Sequence, residues 1–189
     1  MRPTALAAAA LLAAACSPTA DFHADRVCAT APQQAFPGVQ SSTGLPDTLP
    51  AQRVTFDMGS GIPDLHAKGV KDAKVLFREL RLKASDSSQG ANGSPTQFIQ
   101  TLTVALEPPP GSTLPSKQVL AYVRPAGAAP TELVIPGDGT NLVDYLQAGQ
   151  LTAVVSGQGD PGQLPRTPWT AAATFCSEVD VTVDYLEAI

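Results

Sequence analysis

The chain has 189 residues, of which 43% are apolar, 15% charged and 5% aromatic, with 15 glycines and 18 prolines. That is enough for one core, the charge is too sparse for a disordered polyelectrolyte or a coiled coil, and no apolar run reaches membrane-spanning length. Twelve basic residues against 17 acidic ones, a net charge of -5, argue against nucleic acid as a partner, because phosphates reward a basic surface.

Met1 and Arg2 open the chain with positive charge, and Ala5 to Ala15 follow as an apolar run of 11 residues. This is the length of a secretory h-region and about half of what a transmembrane helix needs. The stretch Leu12-Ala13-Ala14-Ala15-Cys16 then resembles the lipobox of bacterial lipoproteins, in which a small residue precedes a cysteine that is lipidated on its sulfur and becomes residue one. The branched residue usual three places before the cysteine is Ala13 here, with Leu12 one place earlier; Ala13-Ala14-Ala15 also satisfies an A-x-A site, which would give ordinary cleavage. The resemblance covers the signal segment alone. It implies that residues 1–15 are removed and that Cys16 carries acyl chains such as palmitate, so that the chain is membrane-anchored in a bacterial cell envelope. The expected side is extracytoplasmic and the expected membrane the outer one. Loss of Arg2 takes the net charge from -5 to about -6.

Three cysteines leave an odd thiol to explain in an exported protein. With Cys16 lipidated, Cys28 and Cys176 remain as an even pair that an oxidising compartment favours joining. The alternative is two buried, unpaired thiols.

From Ser17 to Gln52 the chain holds five prolines among Ser, Thr, Gln and Ala, which predicts a tether and extended lead-in over residues 16–52 and a folded domain over 53–189. Candidate strands are Val54–Met58, Phe98–Leu106, Val119–Arg124, Glu132–Ile135, Leu151–Ser156, Ala171–Phe175 and Glu178–Tyr185. Between them stand turn formers, and Pro108-Pro109-Pro110 ends one strand outright. Residues 68–84 fit helical and alternating periods alike; the turn-rich Ser85–Ser94 that follows favours a strand from about Val75 to Ala84. Asn141 to Gln147, closed by Gly149, reads as a short helical connector. The fold class expected is all-β, a single sandwich of seven or eight strands, Ig-like or jelly-roll-like.

Motifs that carry chemistry are few. Gly157-Gln158-Gly159-Asp160-Pro161-Gly162 formally matches the dinucleotide fingerprint, but Pro165 and Pro168 break the segment that should be its helix, so it reads as a turn. His23 in the tether and His66 in a loop are the two histidines, and each reads as a solvated side chain. A His66–Ser60 pairing is imaginable, yet Gly59-Ser60-Gly61 lacks the G-x-S-x-G elbow that exposes a nucleophile. Asp138, Asn141 and Asp144 are hard oxygen donors close in sequence that Ca²⁺ could share with backbone carbonyls; the structural alternative is a turn and a helix cap. Lys68, Lys71, Lys74, Arg78, Arg81 and Lys83 crowd one segment that has only Asp72 and Glu79 to balance them. They read either as a docking patch for anionic lipid headgroups, an acidic polymer or an acidic partner, or as one row, Arg81 and Lys83, facing Glu178, Asp180 and Asp184 across neighbouring strands. Trp169 is expected to plug the sandwich end or to form a sugar platform. The functional expectation is a noncatalytic envelope lipoprotein whose sandwich is structural or binds another envelope protein, without cofactor. The alternative is a Ca²⁺- or glycan-binding module.

Overall fold

Period-two patterning obliges each strand to bury one face against a second sheet. The computed structural model describes residues 19–39, 45–59, 62–85, 93–184 and 187. It contains β1 (Thr19–Phe36), β2 (Asp47–Asp57), β3 (Val70–Ala84), β4 (Ile99–Leu106), β5 (Lys117–Val123), β6 (Glu132–Pro136), β7 (Gln150–Gly159) and β8 (Trp169–Asp184). The strands form two antiparallel sheets, ordered β1-β8-β3-β6 and β2-β7-β4-β5. The first strand pairs with the eighth, the second with the seventh, the third with the sixth and the fourth with the fifth. The chain is thus one long hairpin rolled into a sandwich. That nesting is jelly-roll topology, one of the two sandwich types expected.

The core lies between the sheets. Phe175 of β8 stacks on Phe77 of β3 with ring centroids 4.6 Å apart, and meets Phe56 of β2 from the opposite sheet at 5.3 Å. All three are fully buried. At one end of the first sheet Trp169 and Phe36, directly opposed across β8 and β1, stack at 4.5 Å. Within the ambiguous stretch 68–84, Val70–Ala84 is strand β3, which starts five residues before the Val75 expected. The helical connector contracts to a single 3-10 turn, Val143–Tyr145.

Two expectations are corrected. The tether assigned to residues 16–52 holds β1 and the first part of β2, so the folded region already includes Thr19. The misleading prolines sit where a strand tolerates them: the register shifts between Ala31 and Gln34, around Pro32, and between Leu49 and Gln52, around Pro50. Both strands lie at sheet edges, and a bulge on an edge needs no ladder donor from proline. The segments Ala171–Phe175 and Glu178–Tyr185 are one strand through Asp184. Ser177 occupies a fully buried core position between them, and its polarity conceals a run of buried alternate positions from Trp169 to Val181.

The glycine-rich segment 157–162 is structural. Gly157 lies within β7, where a Cβ would come 2.2 Å from the Thr101 carbonyl oxygen. The turn beyond β7 is held by Asp47, whose buried carboxylate accepts the amides of Gly162 and Leu164 at 3.0 Å each. Asp160 accepts from Arg124 and Gln100, both at 2.7 Å. No helix follows to receive a pyrophosphate.

Candidate functional site

The outer face of the sheet β1-β8-β3-β6 carries most of the chemistry-bearing residues. Cys28 and Cys176 are register partners there and form a disulfide, with Cα atoms 4.1 Å apart and 148 positions between them in sequence. The bridge ties the first strand to the last. Arg26, in a bulge of β1, lies over it, with Nε donating to Cys28 Sγ at 3.4 Å and Nη2 to Glu79 at 2.6 Å. Glu79 also accepts from Arg81 at 2.5 Å, and this bond with the Arg26 and Arg81 charges holds its carboxyl below the usual range, against a smaller effect of burial.

The basic row of β3 meets the acidic row of β8, but in a different register from the one expected. Lys71 pairs with Asp184 and Glu187, Arg78 with Glu178, and Lys74 stands opposite Asp180 while contacting Asp72 at 3.6 Å. Arg81 faces Thr174 and turns instead to Glu79 and Glu132; Lys83 stands opposite Ala172 and Glu132. Four of the six cations expected as a docking patch are therefore within ion-pair distance of carboxylates. Lys68 precedes β3 in the loop.

The calcium candidates are occupied locally. Asp138 accepts from the amide and the hydroxyl of Thr140, both at 2.8 Å, in a tight turn. Asn141 Oδ1 accepts from Val75 and Val143, pinning the loop to β3 and entering the 3-10 turn. Asp144 lies in the first turn of that 3-10 segment. Of the turn and helix cap set against calcium, the turn forms at Asp138, while the N-cap of the 3-10 segment is Leu142, which makes no side-chain cap bond. Trp169 is 3% exposed and stacked on Phe36, so of its two alternatives it takes the packed one and neither ring face is free for a ligand. His66 lines a cleft of about 290 Å³ with Ile62, Leu65 and Leu146. Ser60, the partner weighed and set aside for it, lies outside the described residues, as does Cys16. A second cleft of about 380 Å³ is lined by Arg53, Glu107, Gln147 and Gln150 together with Pro108 to Pro110.

His23 is the functional candidate that sequence reasoning missed. It stands on β1 in register with Asp180 of β8. Its Nδ1 is hydrogen-bonded to the Asp180 carboxylate, and its Nε2 to Asp25 Oδ1 at 2.8 Å. Glu178 adds a third carboxylate, and one donor atom each from His23, Glu178 and Asp180 lie within 4.8 Å of one another. The hydrogen bond to Asp180, then that to Asp25, raises the imidazole pKa to about 9. No local pattern announces this site, since His23 and Asp180 are 157 positions apart.

A folded-state pKa above the unfolded value means that His23 contributes stability in full below about pH 6.5. The contribution falls as pH rises and is gone above about 9. The expected result is that wild-type protein loses stability relative to a His23→Gln variant between these limits, read from urea midpoints. The side chain is exposed and the effect modest, so parallel pH profiles for the two proteins would remove the claim.

The chain matches no known protein family and no curated protein sequence. Among solved structures it is similar to the decameric BFDV capsid protein, at 10% identity over 87% of this chain and 99% of that chain, with a TM-score of 0.40. It is similar also to Desmodium yellow mottle tymovirus, at 8% identity over 97% of this chain and 92% of that chain, TM-score 0.34. A third likeness is to infectious bursal disease virus, Gt strain, at 15% identity over 87% of this chain and 35% of that chain, TM-score 0.31. Likenesses this distant carry no functional argument.

Proposed function

We propose that the chain is a noncatalytic lipoprotein of the bacterial cell envelope. It is anchored through Cys16 on the extracytoplasmic side of the outer membrane, with its jelly roll serving as a structural or protein-binding module. The observation that supports this reading is the start of β1 at Thr19, which leaves only Ser17 and Pro18 between the anchor cysteine and a strand bridged to β8. Two residues reach roughly 7 Å when extended. An acylated Cys16 would therefore hold the Thr19 end of β1 close to the membrane surface, with less tether than expected.

The opposite edge of that sheet, β6, is then left for a partner. It exposes Val134 at 49%, in register with Arg81 and two positions from Glu132 on the same face. An edge strand with unpaired backbone groups and a mixed apolar and charged flank suits an added strand from an envelope protein.

Intact mass of the protein extracted from membranes tests the anchor. The expected species starts at residue 16, is heavier by acyl chains, and shows two further alkylatable thiols only after reduction. The Cys16→Ser variant is expected in the soluble fraction. An unmodified Cys16 thiol on the mature protein overturns the anchoring. Copurification with one envelope protein, lost when Arg81 and Lys83 are replaced by Glu, supports the β6 side; its retention argues against that side.

A further inference from the structure

We propose that His23, Asp180 and Glu178 form a binding site for a divalent transition-metal cation of the zinc type, with Asp25 as the carboxylate that orients the imidazole. The donors come from two strands whose relative position is fixed by pairing and by the Cys28–Cys176 bridge in the same face. One imidazole nitrogen and two carboxylates form a set that suits zinc and its neighbours better than calcium or magnesium, which prefer oxygen alone.

The second argument is the environment of the ring. Asp25 accepts from Nε2 at 2.8 Å and the Asp180 carboxylate accepts from Nδ1, so once the Nδ1 proton leaves, its lone pair and Asp180 are two acceptors face to face. Two acceptors in hydrogen-bond contact need a cation between them. A proton fills that role in the arrangement described, and a metal ion that displaces it to solvent would have the carboxylate–histidine–metal geometry seen where a second carboxylate holds the ligand ring.

Charge is consistent with this. With the imidazole neutral, Asp25, Glu178 and Asp180 stand against Arg78 on Glu178, while Lys74, opposite Asp180, contacts Asp72. The resulting excess of two negative charges matches a divalent ion. Glu178 offers Oε1, since Arg78 binds Oε2. Side-chain exposures of 53% for His23 and 42% for Asp180 leave an open approach and room for water as a further ligand.

The test uses the untagged full chain carrying Cys16→Ser, so that no free thiol competes, titrated with zinc chloride at neutral pH by calorimetry. One saturable site is expected, with a rise in melting temperature because the ion binds the native state. His23→Gln and Asp180→Asn are each expected to lose at least tenfold in affinity. Asp25→Asn is expected to lose tenfold to a hundredfold at unchanged stoichiometry, the usual effect of removing a carboxylate behind a ligating histidine. His66→Gln is expected to bind as the parent does. Circular dichroism establishes that each variant is folded; Asp25, at 92% side-chain exposure, keeps the test decisive if His23→Gln is not. Absence of saturable binding up to millimolar zinc, full binding by folded Asp25→Asn and His23→Gln, or loss of binding in His66→Gln overturns the site.

Discussion

Reduction of the Cys28–Cys176 bridge, or replacement of both cysteines by serine, is expected to lower the stability of the domain by about 2–5 kcal/mol. The bridge joins residues 148 positions apart, a loop for which chain entropy alone gives roughly 5 kcal/mol, so the upper part of the range is expected. In a domain of this size that corresponds to a fall in Tm of about 10 °C. The location sharpens the expectation. β1 is an edge strand with two register shifts and small buried side chains, Ala29 and Ala31, through its central part. It has little apolar area of its own to hold it on β8, so it is expected to open first. Hydrogen exchange on reduced protein should show early loss of protection in Thr19–Phe36, while β3 and β8 remain paired. Coincident melting curves for oxidised and reduced protein would refute the stabilising role.

The second large effect is expected from Phe175→Ala, at about 3–5 kcal/mol. Phe175 is fully buried, stacked on Phe77 of its own sheet and in contact with Phe56 of the other. Its removal leaves a cavity where the two sheets meet, and rings held on separate strands cannot collapse into it without shifting paired backbone. Phe22→Ala is the control, since Phe22 is 43% exposed on the edge strand and its loss is expected to change stability by less than about 0.5–1 kcal/mol. Urea unfolding of the oxidised proteins measures both. Similar midpoints for the two variants would show that the inter-sheet ring cluster is not the centre of the core.

Much of the sandwich is legible in the sequence because its central strands repeat with period two. Leu102, Val104 and Leu106 of β4, and Val179 and Val181 of β8, are buried at alternate positions as their spacing predicts. The triple proline after Leu106 ends β4 as its missing donors require. The edge strands were harder to read for the converse reason. In β1 the bulges after Ala24 and Ala31 reset the phase of the alternation, and the prolines that signal a tether are tolerated because one side of an edge strand has no ladder to break. Eight strands were among the counts expected, but two candidates merge into β8 and β1 had not been foreseen.

The pairing of basic and acidic rows was foreseeable in kind and not in register. Alternation places the cations of β3 and the carboxylates of β8 on solvent faces, yet a shift of a few residues decides that Arg78, rather than Arg81, meets Glu178. Trp169 shows the same limit. Its isolation in sequence leaves packing and ligand stacking both open, and only its position opposite Phe36 decides for packing.

By itself the sequence determined the all-β class, the alternating faces of the central strands and which two cysteines could pair once the third was set aside. These are local or arithmetic properties, set by side-chain periodicity and by counting. The tertiary structure alone decided the jelly-roll order, the strand nature of Thr19–Phe36, and the meeting of His23 with Asp25, Asp180 and Glu178. Those depend on which strands lie side by side and in what register, and neither is encoded in any window of the chain short enough to read on its own.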